Sequence, residues 1–204
     1  MSLRIEHLVT HGIFSLDGED FAVDNNIWIL GDDREVLVLD AAHDARPIIE
    51  AVGGRKVQAL ICTHGHNDHI NAAAEFADAV GAPILLHPDD TMLWEVVYAT
   101  RRVDAPLVDG HRLIVAGDQV DVMHTPGHSP GGCCLHVPSL GVLFSGDTLF
   151  NGGPGATGRS FSDYDTIVSS IRERLFRLPD ATVVHTGHGD STTIGREAAG
   201  LGRG

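Results

Sequence analysis

Lysine, cysteine and long apolar runs are all scarce in this chain of 204 residues. Lys56 is the one lysine among 14 basic residues, which face 28 acidic ones, and the formal net charge is −14. A chain this acidic lacks the positive surface that nucleic acids and anionic membranes attract. No stretch approaches the ~18 consecutive apolar residues of a membrane helix. We therefore expect neither a nucleic-acid partner nor a membrane partner.

The three cysteines are Cys62, Cys133 and Cys134. An odd number with two adjacent members does not make a disulfide framework, so a reducing compartment fits best. The first residues, MSLRIEHLVTHG, also lack the apolar core of a signal peptide. We expect a cytoplasmic protein whose cysteines are buried as small apolar side chains.

The length predicts one domain over residues 1–204, and a hydrophobic fraction of 43% allows a substantial core. Asp17-Gly18 predicts the turn of a β-hairpin, and apolar runs such as VLVL at 36–39 predict buried strands. Helices are predicted over 45–54, over 70–82, and from a cap at Ser162 onwards. Strands and helices alternate twice, which predicts a layered α/β fold with two packed sheets and helices outside.

The stretch ICTHGHNDHI (61–70) places four metal-capable side chains behind an apolar run. His64 and His66 are two positions apart, so both can face one ion in extended or turning backbone. Asp68 and His69 follow, close enough to face a second ion. Catalytic zinc usually takes three protein ligands and keeps one position for water, so a pair of ions with one shared ligand needs about seven.

Three further candidates supply that number. His128 lies in the Pro/Gly-rich HTPGHSPGG, Asp147 in LFSGDTLF and His188 in VVHTGHGD. Each follows a predicted strand and has small neighbours that allow close approach. A single histidine in such a place is more often an ordinary surface or core residue. Four separate segments with the same placement favour a metal site.

The pattern H-x-H-x-D-H, followed by TPGH, GD and GHG, resembles the metallo-β-lactamase-fold hydrolases, and most closely the short bacterial relatives of glyoxalase II. The resemblance implies a four-layer αββα sandwich with two divalent metal ions at one edge. It implies that His64, His66 and His128 bind the first metal, that Asp68, His69 and His188 bind the second, and that Asp147 bridges them. Zinc is the default metal for such ligands, with iron or manganese as alternatives.

Two adjacent cations lower the pKa of a shared water and polarise the carbonyl group that it attacks. Asp68 is then the catalytic residue that orients this hydroxide. The motif segments offer no free acid for an amine leaving group, whereas a thiolate needs none. We therefore expect a small-molecule substrate that is a thioester of glutathione or mycothiol. Mycothiol is included because the preference for arginine over lysine is typical of GC-rich actinobacterial genomes. Lactones and other activated esters come next.

The segment NGGPGATGRSFSDY departs from the family pattern, so the loop 151–162 is expected to border the pocket and alter the substrate. Arg159 in this loop is a candidate for binding a substrate carboxylate, or else a solvated loop residue. His43 and His185 are candidates for a second layer around the metals.

The competing hypothesis is a persulfide dioxygenase, because those enzymes resemble this chain and hold a single iron. Here the iron ligands would be His64, His128 and Asp147. A β-lactamase is disfavoured, because the best-known class has a cysteine where Asp147 stands and lacks the histidine at position 69. A non-catalytic binding module would have no use for a complete seven-ligand set.

Overall fold

The computed structural model describes residues 2–203, and within this range it has fourteen strands, six α-helices and two short 3-10 helices, Pro88–Asp90 and Leu175–Arg177. The strands are β1 (Arg4–Leu16), β2 (Glu19–Gly31), β3 (Glu35–Leu39), β4 (Lys56–Ile61), β5 (Ile84–Leu86), β6 (Ala105–Pro106), β7 (Arg112–Val115), β8 (Asp118–His124), β9 (Cys133–Val137), β10 (Val142–Gly146), β11 (Leu149–Phe150), β12 (Gly153–Pro154), β13 (Val183–Thr186) and β14 (Thr192–Thr193). The helices are α1 (Ala45–Val52), α2 (Asn67–Ile70), α3 (Ala73–Val80), α4 (Thr91–Val97), α5 (Tyr164–Glu173) and α6 (Ile194–Leu201).

Two six-stranded sheets form the centre of the molecule, with strand orders β1-β2-β3-β4-β5-β6 and β14-β13-β10-β9-β8-β7. In the first sheet β1, β2 and β3 pair antiparallel, and β3 to β6 pair parallel. In the second sheet the pairing is antiparallel except between β10 and β13, which run parallel. The short strands β11 and β12 pair with each other.

Three apolar clusters separate the layers, and the alternation of side chains along β2 shows how. Ile27 and Ile29 pack into the cluster that includes Phe76 of α3, whereas Trp28 and Leu30 pack into the cluster shared by the two sheets. A third cluster joins β9, β10 and β13 to α5 and α6. Successive side chains of a strand point to opposite faces, so both sheets are covered on both sides. The order is helix, sheet, sheet, helix, which confirms the predicted αββα sandwich.

The β1–β2 hairpin was predicted from its turn. Its register runs without a break from Arg4 opposite Gly31 to Leu16 opposite Glu19. Asp17 and Gly18 have φ values of 55° and 78°, as a two-residue turn with left-handed central residues requires. The half of the hairpin that carries the turn projects beyond the sheet, since residues 19–22 of β2 are exposed and residues 25–31 are buried.

Two helix predictions need correction. The helix predicted over 70–82 begins only at Ala73, as α3, because the backbone leaves helical geometry at Ala72, and Ile70 instead ends the single turn of α2. Gly81 ends α3 as expected, with φ 68°. The predicted cap Ser162 is wrong by one residue. Asp163 caps α5 by accepting the N–H of Thr166, because the Ser162 hydroxyl is engaged with the Arg159 carbonyl at 2.7 Å.

The three cysteines are buried and free, as predicted. Among residues 2–203, no helix is both long and apolar enough to span a membrane.

Candidate metal centre

The seven candidate ligands come from four segments, and the fold brings them all to one edge of the sandwich. His64 and His66 follow β4, and Asp68 and His69 lie in the single turn of α2. The remaining three follow strands of the second sheet: His128 after β8, Asp147 after β10 and His188 after β13. All seven are buried except His128 and His188, whose side chains are 12% and 25% exposed.

His64, His66 and His128 form the first set. Each has one ring nitrogen within 4.8 Å of a ring nitrogen of the other two. Nδ1 of His66 lies 3.0 Å from Nε2 of His128. In a tetrahedral site with metal–nitrogen bonds of 2.0–2.1 Å, two ligand atoms stand about 3.3 Å apart. This spacing therefore suits ligands of one ion.

Asp68, His69 and His188 form the second set. Nε2 of His69 lies 3.1 Å from Nε2 of His188. Oδ2 of Asp68 lies 3.3 Å from the same His188 nitrogen and 3.6 Å from Nε2 of His69. These three atoms mark out the face of a second ion-sized site beside the first.

Asp147 lies between the two sets. Its Oδ1 is 3.4 Å from Nε2 of His69, and its Oδ2 is 3.4 Å from Nε2 of His188 and 3.5 Å from Nε2 of His128. Gly187 makes this approach possible, because a Cβ there would stand 2.2 Å from Asp147 Oδ1. A carboxylate in this position can serve ions in both sets.

Several polar atoms of the cluster are buried without a protein partner. They are His64 Nε2, His66 Nε2, Asp68 Oδ1 and Asp147 Oδ1, four of the five such side-chain atoms among residues 2–203. Buried polar groups in proteins are almost always hydrogen-bonded, so each exception needs an explanation. A cation would be a partner for His64 Nε2 and Asp147 Oδ1, and the residues present therefore fit metal ions.

Two rings of the first set, His64 and His66, are electrically neutral. Burial lowers the pKa of His66 to about 3, and the neighbouring His128 acts in the same direction. Burial likewise takes the pKa of His64 well below its usual value. Both rings are therefore neutral near pH 7, and neutral imidazole is the form that binds a metal ion.

Asp147 and the Asp68 carboxylate of the second set are anions. Burial alone would raise the pKa of Asp147, but His69 and His188 hold it well below its usual range. Burial alone would lower the pKa of His188, but Asp147 and Asp68 raise it to about 10. Here the buried negative charge requires a positive partner. Either protonated histidines or a metal ion that displaces their protons can supply it.

Hydrogen bonds at Nδ1 orient three of the histidine rings, whereas His66 turns Nδ1 toward His128 and its buried Nε2 has no partner. His128 donates from Nδ1 to the carbonyl of Ala156 at 2.8 Å, and His188 donates from Nδ1 to the carbonyl of Asp24 at 2.7 Å. Nδ1 of His64 lies 3.2 Å from the hydroxyl of Thr63. A donor at Nδ1 leaves the Nε2 lone pair directed into the cluster, as in most histidine-ligated metal sites.

Asp40 holds His69 in the same way. Its Oδ2 accepts from Nδ1 of His69 at 3.0 Å and from the Thr63 hydroxyl at 2.7 Å, while its Oδ1 accepts the Thr63 N–H at 2.7 Å. The backbone of Asp40 is left-handed, with φ 57°, a conformation that non-glycine residues rarely adopt and that clusters at functional sites. Sequence reasoning missed this residue, although it follows β3 as the segments that carry the candidate ligands follow their strands.

Asp90 connects the loops of the first set and was also missed. Oδ2 accepts the N–H of Gly65 at 2.8 Å and the hydroxyl of Ser129 at 2.7 Å, and Oδ1 accepts the N–H of Gly131 at 2.6 Å. Gly65 lies between His64 and His66, and Ser129 follows His128. One buried carboxylate therefore connects the two loops that carry the rings of the first set.

The two histidines proposed for a second layer differ in their positions. Nε2 of His43 lies 2.8 Å from Oδ1 of Asn25, whose amide donates to Asp68 Oδ2 at 3.2 Å, so His43 reaches the second set through Asn25. His185 packs against Trp28 with ring centroids 4.4 Å apart, and its Nδ1 is hydrogen-bonded to Ser191 at 2.9 Å.

Arg159 lies close to the cluster but is engaged with the hairpin. Its guanidinium is 2.9 Å from Glu19 and lies over the ring of Phe21, 4.6 Å from the centroid. Its role in binding substrate stays a prediction.

Residues 21–188 match the metallo-beta-lactamase superfamily, and the chain belongs to it. Hydroxyacylglutathione hydrolase GloC of Haemophilus influenzae is 33% identical over 186 residues, which cover 84% of this chain and 87% of that protein. The crystal structure of the BLEG-1 B3 metallo-beta-lactamase has a TM-score of 0.79 at 28% identity and covers 93% of this chain and 97% of its own. TTHA1623 in a di-iron-bound form has a TM-score of 0.78 at 31% identity, with coverages of 86% and 93%. The resemblance read from the motifs is confirmed.

Proposed function

We propose that this protein is a metal-dependent thioesterase that hydrolyses an acyl thioester of a low-molecular-weight thiol, glutathione or mycothiol. The observation that carries the proposal is the convergence of seven His and Asp side chains into two adjoining sets joined by Asp147. The similarity to a hydroxyacylglutathione hydrolase supports the class of substrate.

Two divalent cations fit this cluster. His64, His66 and His128 would hold the first, Asp68, His69 and His188 the second, and Asp147 both. Zinc is the default for this donor set, and the di-iron-bound TTHA1623 keeps iron among the candidates. When bound, such ions lower the pKa of water toward neutrality and polarise a carbonyl group.

Asp68 is the residue of this chain that we assign to the attacking water. Its Oδ2 is occupied by Asn25 and His188, whereas Oδ1 is buried without a partner. Burial would raise the pKa of Asp68, but His69 and His188 lower it, so the carboxylate is ionised and Oδ1 can accept a hydrogen bond from water. It thereby orients the water oxygen toward the carbonyl carbon.

The leaving group points to a thioester. The lowered pKa values of Asp68 and Asp147 mean that neither carries a proton to donate near pH 7. The raised pKa of His188 holds a proton only without metal, because a histidine that binds a metal ion does so through an unprotonated nitrogen. An amine must be protonated in order to leave, but a thiol, with a parent pKa near 8.5, departs as thiolate. Water adds to the carbonyl carbon, the C–S bond breaks with its electron pair on sulfur, and the products are a carboxylate, a thiol and one proton.

The test combines metal content with two assays on one preparation. Protein purified without added metal is analysed for metal per chain, then assayed for hydrolysis of lactoyl thioesters of glutathione and of mycothiol, and for persulfide-dependent oxygen uptake. We expect close to two metals per chain, thioester hydrolysis and no oxygen uptake, with Asp147→Asn inactive. One iron per chain with oxygen uptake would replace the proposal with the persulfide dioxygenase.

A further inference from the structure

A small pocket lies beside the first set of candidate ligands, between the tip of the β1–β2 hairpin and the loop 151–162. Phe14 and Leu16 of β1 form one wall, Ala156 and the stem of Arg159 form the other, and His66 and His128 lie at its base. Its free volume is about 40 Å³. We call this space the acyl pocket.

Hydrogen bonds hold the hairpin wall above α2. The side chain of Asn67 donates to the carbonyl of Ile13 at 2.9 Å and accepts the N–H of Ser15 at 2.8 Å. These two bonds clamp the backbone on either side of Phe14, whose ring meets the edge of His66 with centroids 5.3 Å apart. The position of this wall relative to the candidate metal ligands is therefore set by the fold.

The loop wall is attached to the hairpin turn across a separation of about 140 residues. Asp17 accepts the N–H of Ser160 at 3.0 Å, and Arg159 pairs with Glu19 at 2.9 Å. The Ser162 hydroxyl accepts the N–H groups of Gly158 and Arg159 and so keeps the loop turned. The loop that departs from the family pattern thus closes one side of the pocket.

The pocket is mainly apolar, although Arg159, Ser160 and Ser162 also border it. The charge of Arg159 is satisfied by Glu19 and by the face of Phe21, so its aliphatic stem is the part that lines the wall. A substrate carboxylate placed here would lose its hydration and would have to displace Glu19 to regain a partner. The pocket favours an uncharged aliphatic group.

We propose that the acyl pocket binds a short, uncharged acyl chain of the thioester substrate; this inference rests on the proposed thioesterase function. A water-sized group needs about 10–15 Å³ of such free volume, so the pocket accommodates about three non-hydrogen atoms. The carbonyl group must lie at the cluster for hydrolysis, and the candidate ligands His66 and His128 border the pocket. The thiol is a polar peptide or sugar derivative that a closed apolar space would exclude, so it extends toward solvent on the other side.

The experiment compares acyl thioesters of one thiol that differ only in the acyl group: acetyl, propionyl, butyryl, hexanoyl and succinyl. We expect kcat/KM of the metal-loaded protein to peak at propionyl or butyryl and to fall by about 10-fold or more for hexanoyl and for succinyl. Calorimetric binding of the corresponding product acids should follow the same order, which provides a readout independent of turnover.

Two variants of one strand test the location. Leu16→Ala enlarges the acyl pocket and should move the optimum toward hexanoyl. Ile13→Ala is the matched control, because Ile13 lies on the opposite face of β1 and is 45% exposed, and it should leave the profile unchanged. Both positions are at least partly exposed, so we expect both variants to fold.

The outcomes separate the two proposals. Thioester hydrolysis that is independent of acyl length, or a Leu16→Ala profile identical to that of the parent protein, overturns the acyl pocket and leaves the thioesterase. Failure to hydrolyse any of the thioesters with two metals bound overturns the proposed function, and the acyl pocket with it.

Discussion

Oδ2 of Asp90 accepts the backbone N–H of Gly65, at 2.8 Å, between the two histidines of the THGH segment. The glycine is required there, since a Cβ would stand 2.8 Å from Leu93 Cβ and 3.0 Å from the carbonyl oxygen of Asp90. The same carboxylate accepts from Ser129 and Gly131. Asp90 is thus buried between the two loops that carry the first set. Its carboxylate oxygens accept hydrogen bonds from both loops and so fix their relative position.

Replacing Asp90 by asparagine tests this junction. The asparagine side chain replaces one carboxylate oxygen by an NH2 group, which would face one of the three hydrogen-bond donors that Asp90 now accepts. A buried donor left without an acceptor costs about 1–3 kcal/mol. We expect the first set to lose metal affinity by about 10–100-fold while the second set retains its ion. Metal titration should then show one tight and one weak site. Asp89→Asn, at an exposed neighbouring position, should keep two tight sites, and equal weakening of both sites in Asp90→Asn would refute the assignment.

Asp40 gives the complementary prediction for the second set. Asp40→Asn weakens the hydrogen bond that fixes the ring of His69, and we expect metal affinity to fall about 10–100-fold at the second set. The first set should be unaffected, so the order of metal loss in a chelator titration would be opposite to that of Asp90→Asn. Asp78→Asn on the exposed side of α3 is the control. Loss of the first ion before the second would contradict the assignment.

Removal of metal should destabilise the protein. Without an ion, the buried His64 Nε2 and Asp147 Oδ1 have no partner, and such groups disfavour the folded state. A ligand present at 100 times its Kd contributes about 2.7 kcal/mol, which corresponds to about 5–10 °C in Tm for a chain of this size. Calorimetry with and without chelator should show this decrease and its reversal by added metal. An unchanged Tm in protein shown to have lost its metal would argue against ions at these atoms.

The ligand cluster and the layered fold could be predicted from the sequence because both produce local patterns of apolar runs followed by metal-capable residues. Each segment that carries ligands follows an apolar strand, and strands that end at one edge of a sandwich bring such segments together. Asp40 carries the same signal at the end of VLVL and could have been recognised from it. The cap of α5 was misplaced because Ser162 and Asp163 are both capping residues, and only the hydrogen bonds of Ser162 within its own loop decide between them.

Contacts between residues far apart in the chain could not be predicted, because they produce no local sequence pattern. Asp90 reaches Gly65 and Gly131 across 25 and 41 residues, and its position after Pro88 resembles that of an ordinary first-turn acid. The pairing of Arg159 with Glu19 spans 140 residues, so the sequence alone left Arg159 equally compatible with substrate binding and with a solvated loop. The partner of Arg159 depends on how far the β1–β2 hairpin projects beyond the sheet. That distance is set by the packing of the two sheets and cannot be read from the local sequence.

Gly187→Ala tests how closely Asp147 must approach the second set. A Cβ at this position would stand 2.2 Å from Asp147 Oδ1 and 2.8 Å from Cε1 of His69, distances that force the carboxylate to move. We expect loss of the second ion and a decrease in kcat/KM of at least about 10-fold. Gly200→Ala is the matched control, since nothing lies within 4 Å of its added methyl group. Two tight metal sites in Gly187→Ala would show that Asp147 tolerates displacement.

Glu19→Gln tests the attachment of the loop 151–162 to the hairpin. The side chain of Glu19 is 63% exposed and that of Arg159 is 33% exposed, and ion pairs of this kind contribute at most about 1 kcal/mol. Global stability should therefore change little. We expect KM for a short acyl thioester to rise several-fold with a smaller effect on kcat, because the loop wall closes less often while the cluster stays intact.

High salt should raise KM of the parent protein in the same direction, since it screens the ion pair between Glu19 and Arg159. Exchanging the two charges, in Glu19→Arg combined with Arg159→Glu, should restore part of the affinity. If the single variant and the exchange behave alike, the ion pair does not hold the wall.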